Sequence, residues 1–201
     1  MKRVLLGLAL LGLAVGANAD PTDLGGGALI AHYEAALTLS EPPVEGVCAA
    51  YAPYAITQAA DQVNQIDVGT YAIADWFILA AWYEEEKTFC GVQFGFSDFD
   101  PGIFGFTYFG ACFPATGGLE IPSGGWPGPN EGIAFVVTGD PWMGNYLPVY
   151  WFIGYAYGYG APGVIQLVPD PTVAEPFGGT GNCASPPEKW DALLGGMGIN
   201  T

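Results

Sequence analysis

The chain is 201 residues long and sets 20 acidic residues against four Lys and Arg and one histidine, a formal net charge of −16 at pH 7. Phosphate backbones and anionic headgroups are bound by Lys and Arg with release of counterions, so this balance excludes nucleic acid and acidic membrane as partners. A hydrophobic content of 51% with 31 glycines and 17 prolines argues against disorder and describes a folded chain cut often by turns.

Lys2 and Arg3, the apolar run Val4 to Val15 and the small-x-small Ala17-Asn18-Ala19 read as a secretory signal peptide over residues 1–19. The run is too short for a membrane span and ends in a cleavage site. The expected mature chain, 20–201, is one domain in the periplasm or outside the cell. It keeps only Lys87 and Lys189 as cations, which makes divalent cations acceptable visitors.

Cys48, Cys90, Cys112 and Cys183 all lie in the exported part, where disulfides persist. With no CxxC and His32 as the only histidine, they do not read as a zinc site. Two bridges are expected. The favoured pairing is Cys48–Cys90 with Cys112–Cys183, each closing off one half of the chain.

Short β-branched and aromatic segments between Gly and Pro predict strands at Ala28–Tyr33, Ile73–Tyr83, Thr88–Phe96, Gly105–Cys112, Ile133–Thr138, Leu147–Tyr157 and Val164–Val168. Asp100-Pro101-Gly102 suits a turn with glycine at positive φ, and Asp140-Pro141 and Asp170-Pro171 mark further corners. Helical spacing of Ile56, Ala59, Ala60, Val63 and Ile66 behind Pro53 predicts a helix over 53–66. Capping-box spacing in Ser185-Pro186-Pro187-Glu188, ahead of Trp190, Leu193, Leu194 and Gly195, predicts a second. The expected fold is all-β, a β-sandwich or jelly roll with one or two short peripheral helices.

Trp76-Phe77-Ile78, then Gly91-Val92-Gln93, then Asp100-Pro101 is echoed by Trp151-Phe152-Ile153, then Gly163-Val164 with Gln166, then Asp170-Pro171. Two related hairpins would account for the echo, and would favour a strand where the composition of ADWFILAAWYEEEK also allows a helix. Along Val149–Tyr159, period two puts Trp151, Tyr155, Tyr157 and Tyr159 on one face and Gly154, Ala156 and Gly158 on the other. The bare face calls for a close neighbour, a packed sheet or rings on adjacent strands. The ring face is either core or a platform for sugar rings.

The chemistry on offer is limited. Asp98 and Asp100, two apart, present hard oxygens to a structural calcium ion, as does Glu84-Glu85-Glu86, but the calcium-loop template fails at Gly102. Turn formation explains the two aspartates equally well. His32 is the sole base for a triad, and no GxSxG elbow accompanies it, so it reads as a sheet residue. Glu120 and Glu131, beside Trp126, are the best pair for a jelly-roll glycoside hydrolase, whose two carboxylates face each other across a groove. They lie in LEIPSGGWPGPNEG, where Pro122, Pro127 and Pro129 remove ladder donors and Gly124, Gly125, Gly128 and Gly132 allow positive φ. An irregular structural corner pinned by Trp126 is the competing reading. An outer-membrane barrel is disfavoured by the prolines and the expected disulfides.

Taken together, FGFSDFDPGIFGF, LEIPSGGWPGPNEG and PVYWFIGYAYG resemble a group of uncharacterised secreted bacterial proteins, β-rich and without an assigned activity. The resemblance implies nothing catalytic and carries over no functional residue. Independently of it, the residues themselves lead to the expected function of a non-catalytic binding, surface or structural-interaction module with no cofactor, and with carbohydrate as a candidate ligand. Its partner would be a glycan or a protein at the cell surface, or a second copy of itself. A ligand groove would combine Trp126, Glu131 and the ring face Tyr155, Tyr157 and Tyr159, with the glycosidase as the alternative.

Overall fold

The structure, a computed structural model, describes residues 27–35, 37, 46–52, 55–67, 72–82, 87–114, 117–156, 162–185 and 187–199. In chain order its strands begin with β1 (Ala28–Tyr33), β2 (Gln65–Ile66), β3 (Ala72–Ala81), β4 (Lys87–Phe89), β5 (Gly91–Phe96), β6 (Phe104–Ala111) and β7 (Gly118–Pro122). They continue with β8 (Gly132–Val137), β9 (Trp142–Gly144), β10 (Leu147–Ala156), β11 (Gly163–Val168), β12 (Gly179–Gly181), β13 (Lys189–Asp191), β14 (Leu193–Leu194) and β15 (Gly196–Ile199). Among the described residues, one short helix, α1 (Val47–Tyr51), and a 3-10 turn at Ala59–Asp61 complete the elements. The fold is all-β.

Two sheets face each other. The five-stranded sheet runs β14-β1-β3-β10-β6. In the eight-stranded sheet β5 carries β8, and beyond it β7, along one edge; along the other it carries β12 and then β11, which leads to β15 and β2. Alternate residues of both sheets meet in one core: Leu29, Ala74, Trp76, Ile78, Tyr150 and Phe152 from the first, Val92, Phe94, Phe96, Ile133, Phe135 and Ile165 from the second. The opposite face of the five-stranded sheet is covered by α1 and the residues after it, where Tyr51 stacks on Phe77 at 4.2 Å and Val47, Ile56 and Leu79 close a smaller core.

The face left bare by Gly154 is the inner one. A Cβ there would sit 2.3 Å from the Gly105 carbonyl and 2.6 Å from the Phe104 ring, so a ring from the adjacent strand fills the gap. The echoed WFI segments lie on β3 and β10, neighbours in one sheet, and the GV segments open β5 and β11, neighbours in the other. Their facing is out of step, since Trp76 opposes Phe152 across the ladder while Trp151 opposes Phe77.

Several expectations are corrected. The disulfides join Cys48 to Cys112 and Cys90 to Cys183. The sequence preference for chain halves fails because α1 lies against the sheet that ends at Cys112, and because Cys90 and Cys183 flank the Gly91–Gly181 pair of β5 and β12. The strand predicted over Thr88–Phe96 breaks at Cys90, with β4 pairing β9 and β5 entering the large sheet.

No helix forms over the described part of 53–66. Ile56 enters the small core and Ile66 the large one, so the chain must stretch between them, and Val63 instead pairs with Tyr33 and His32 at the end of β1. The predicted C-terminal helix is replaced by β13, β14 and β15. Asn182 Oδ1 accepts from the Ala184 and Glu188 N–H groups while its Nδ2 donates to the Glu188 carboxylate, a turn that takes the groups a helix cap would use. Gly179, whose Cβ would meet the Trp190 carbonyl at 2.1 Å, lets β13 close against β12.

Candidate functional site

The structure puts Glu120 and Trp126 into one hydrogen-bonded chain. Glu120 faces inward on β7, opposite Phe135 of β8. Its Oε1 accepts the Ala111 N–H of β6 at 2.7 Å, and its Oε2 accepts the Tyr150 hydroxyl at 3.3 Å. The same hydroxyl accepts the Trp126 Nε1–H at 3.1 Å. Trp126 is 8% exposed, stacked on Phe96 at 4.9 Å and edge-on to Phe94, so its ring is core. Burial pushes the Tyr150 phenol well above its usual pKa, and the Glu120 charge adds to the effect.

Glu131 lies apart from Glu120. Counting along β8 from Phe135 to Glu131 gives roughly 13 Å of backbone. Its side chain folds over its own loop: a Cβ on Gly125 would meet Glu131 Oε1 at 2.5 Å. Gly125, Gly128 and Gly132 of LEIPSGGWPGPNEG serve close approach, Gly124 faces open space, and none of the four takes the positive φ expected of them; Asn130, at φ 58°, takes the left-handed conformation. β7 ends at Pro122, and the Trp126–Pro127 peptide is cis.

Asp98 and Asp100 are engaged in turns. Asp98 Oδ1 accepts from Asn130 Nδ2 at 3.2 Å, and Asp100 Oδ1 accepts the Gly102 N–H at 2.8 Å, so Gly102 closes the turn without positive φ. Among the described residues no three His, Cys, Asp or Glu side chains come together as a metal site.

Tyr155 is half-buried on the outer face of the five-stranded sheet, the opposite side of β10 from Tyr150, Phe152 and the Trp126 ring. The expected groove combining Trp126 with Tyr155 therefore does not form, because a sheet lies between them. Tyr157, Tyr159, residues 1–19 and Glu84-Glu85-Glu86 lie outside the described residues. On the outer face of β7 and β8, Leu119, Ile121 and Val136 are exposed, with Leu119 paired to Val136.

A concave feature lies elsewhere among the described residues. A cavity of about 400 Å³ opens where the end of β1 meets residues 56–67, lined by His32, Tyr33, Glu34, Ala35, Ile56, Asp61, Val63, Gln65, Ile66 and Asp67. His32 is 2% exposed and sits edge-on to Tyr51 at 6.0 Å. The Val63 N–H donates to its Nδ1 at 3.0 Å, which places the proton of the neutral ring on Nε2. That Nε2–H makes no hydrogen bond, and Glu34 Oε2 stands 3.6 Å away. Burial lowers the His32 pKa against the opposing pull of Glu34 and Asp61. Burial also pushes the Tyr51 phenol up to about 12.

Searches of protein-family models, curated proteins and solved structures give no match to this chain. Among the described residues no helix is long and apolar enough to cross a membrane. The two disulfides point to folding in an oxidising environment.

Two buried carboxylates escape a reading by motif. Asp170, 2% exposed, accepts from Gln93 Nε2, the Thr172 N–H and the Thr172 hydroxyl, and its Oδ1 would lie 1.9 Å from a Cβ on Gly132. The sequence marks it only as a corner before Pro171. Asp75, 5% exposed on β3, has an Oδ1 without a hydrogen bond, and burial pushes its pKa up to about 6. Its one legible signal is a lone acid inside an apolar run.

Proposed function

We propose that this chain is an exported, non-catalytic binding module whose ligand seat is the cavity beside His32. The observation that supports it best is a cavity of about 400 Å³, a size typical of small-ligand sites, with the buried His32 among its lining residues. The carboxylates and rings that composition offers to a glycosidase support the same reading from the other side. Glu120 is held by Ala111 and Tyr150, Trp126 is core, and Glu131 folds over Gly125. A general acid of that class needs a partner carboxylate facing it across an open groove. Export agrees with the signal-like N-terminus, the disulfides and the resemblance to secreted bacterial proteins.

The test uses the only histidine of the chain as its own reporter. Titrating small amines, hydroxy acids and sugars into the mature protein should shift the His32 ring resonances saturably for at least one compound. Polysaccharides incubated with it should release no reducing sugar. His32 signals unmoved across the whole panel, or sugar release abolished by Glu120→Gln, would overturn the reading.

A further inference from the structure

We infer that one wall of the cavity beside His32 is an acid-released clasp: protonating the ring parts residues 57–63 from the end of β1 and opens the cavity. Three hydrogen bonds make the clasp. The Val63 N–H donates to His32 Nδ1 at 3.0 Å, the Tyr33 N–H donates to the Val63 carbonyl at 2.7 Å, and Gln62 Nε2 donates to the Ala31 carbonyl at 2.8 Å. His32, Tyr33 and Val63 all line the cavity, so this seam is part of its wall.

Only the first bond depends on the state of the ring. Neutral His32 carries its hydrogen on Nε2 and accepts at Nδ1. The imidazolium carries hydrogen on both nitrogens, so the Val63 N–H would then face a second donor, and no flip of the ring restores an acceptor. One side must give way. The ring is held: His32 is 2% exposed, Tyr51 lies edge-on to it at 6.0 Å, and β1 is paired with β3 along its whole length, His32 opposite Phe77. The segment is held less: Thr57, Gln58, Ala60, Asp61 and Val63 are exposed, and residues 62–64 belong to no strand or helix. Its ends stay anchored, Ile56 in the small core and Asn64 through the Gly198 N–H, next to the pairing of β2 with β15. Movement is thereby confined to the stretch between them.

The charges around the ring set where the change falls. Glu34 Oε2 stands 3.6 Å from Nε2, and Asp61 of the 3-10 turn acts from the segment itself. Tyr51 faces the ring from α1, and β3 places Asp75 on the same face of the sheet as Phe77, two residues along. Asp67 lines the same cavity, whose lining includes no lysine or arginine. The two nearer carboxylates draw a proton in, and burial, the larger influence, keeps it out, so the ring charges below its ordinary 6.5. The clasp is therefore shut at neutral pH and lost as pH falls through the folded pKa of His32.

Amide hydrogen exchange of the mature protein, followed by NMR from about pH 8 to about pH 4 beside the His32 ring resonances, tests this. Each rate is referred to that of an unstructured peptide at the same pH. Protection of the Val63 and Tyr33 amides should fall about tenfold with the midpoint of the ring titration, while the Gly198 and Cys112 amides, bonded to Asn64 and Val149, keep theirs. His32→Asn puts an oxygen close to the place of Nδ1 and cannot titrate, so protection should stay level with pH. Glu34→Gln, which leaves the ring in place, should move the ring midpoint and the loss of protection to lower pH together, and decides the matter should His32→Asn not fold. A ring that charges while Val63 and Tyr33 stay protected, a ring that stays neutral throughout, or two midpoints that separate in Glu34→Gln would overturn the clasp. No ligand is present in this experiment, so a negative result leaves the binding reading standing.

Discussion

The Glu120 carboxylate accepts the backbone N–H of Ala111 at 2.7 Å and so joins the edge strand of one sheet to the edge strand of the other. Edge strands carry unpaired backbone donors, and a side chain that satisfies one also blocks strand addition there. Glu120→Ala should lower stability by about 1–3 kcal/mol, seen as a lower urea midpoint at unchanged m. Glu120→Gln keeps an oxygen for Ala111 and should recover a good part of that loss. Equal losses in the two variants would mean that charge, and not this bond, holds the edges.

Tyr150→Phe removes the acceptor of the buried Trp126 Nε1–H and the donor to Glu120. A cost of about 1–2 kcal/mol is expected from the stranded indole N–H. The double variant with Glu120→Gln should cost less than the two single costs combined, because one chain of hydrogen bonds is being cut twice. A double-mutant cycle by chemical denaturation measures this, and strict additivity would contradict the linked chain.

Peptide mapping without reduction should recover the Cys48–Cys112 and Cys90–Cys183 pairs. Chain-entropy reasoning gives each bridge about 4 kcal/mol, given the sequence separations of 64 and 93 residues. Replacing Cys48 and Cys112 by Ala should also disturb the His32 resonances, since Cys48 belongs to α1 and the Tyr51 ring of that helix packs on His32. Removing Cys90–Cys183 should leave those resonances in place at temperatures where the protein stays folded.

Asp75 and His32 give opposite pH signatures. The folded pKa of Asp75 lies above its unfolded value of 3.8, so its contribution is complete below that value and is lost as pH rises through about 6. Asp75→Asn should therefore stabilise the protein at alkaline pH, by roughly 2–3 kcal/mol at most, and give no gain near pH 3. His32 has a folded pKa below 6.5, so its contribution is present above that value and fades as pH falls toward the folded pKa. Thermal melts of the native chain and of Asp75→Asn across this range check the two signs; a gain from Asp75→Asn that does not depend on pH would reject the assignment.

Strands were legible wherever one residue in two had to be buried. β1 occupies the residues that alternation predicts, and β10, β11 and β6 differ only at their ends. Short strands such as β12, a Gly-Thr-Gly segment, carry no side-chain pattern at all; they exist because Gly179 lets another backbone come close. The 53–66 helix failed because helical spacing says that apolar residues share a core, and Ile56 and Ile66 belong to two. In the site, Glu120 was visible as a carboxylate beside a tryptophan, but its partner Tyr150 lies far along the chain. His32 was visible only as a solitary base, and its cavity is completed by residues some two to three dozen positions further on, from Ile56 to Asp67.

β13, β14 and β15 pass from the large sheet to the small one and back, and Gly195 between them donates to the Leu29 carbonyl while accepting from the Leu167 N–H. β14 lies against β1, so the earliest described strand is completed by nearly the latest. A chain delivered N-terminus first, whether from a ribosome or through a membrane pore, thus has both sheets unfinished until its closing residues arrive. Sequence order acts as a clock here: neither sheet has all its described strands before residues 193–199 have emerged.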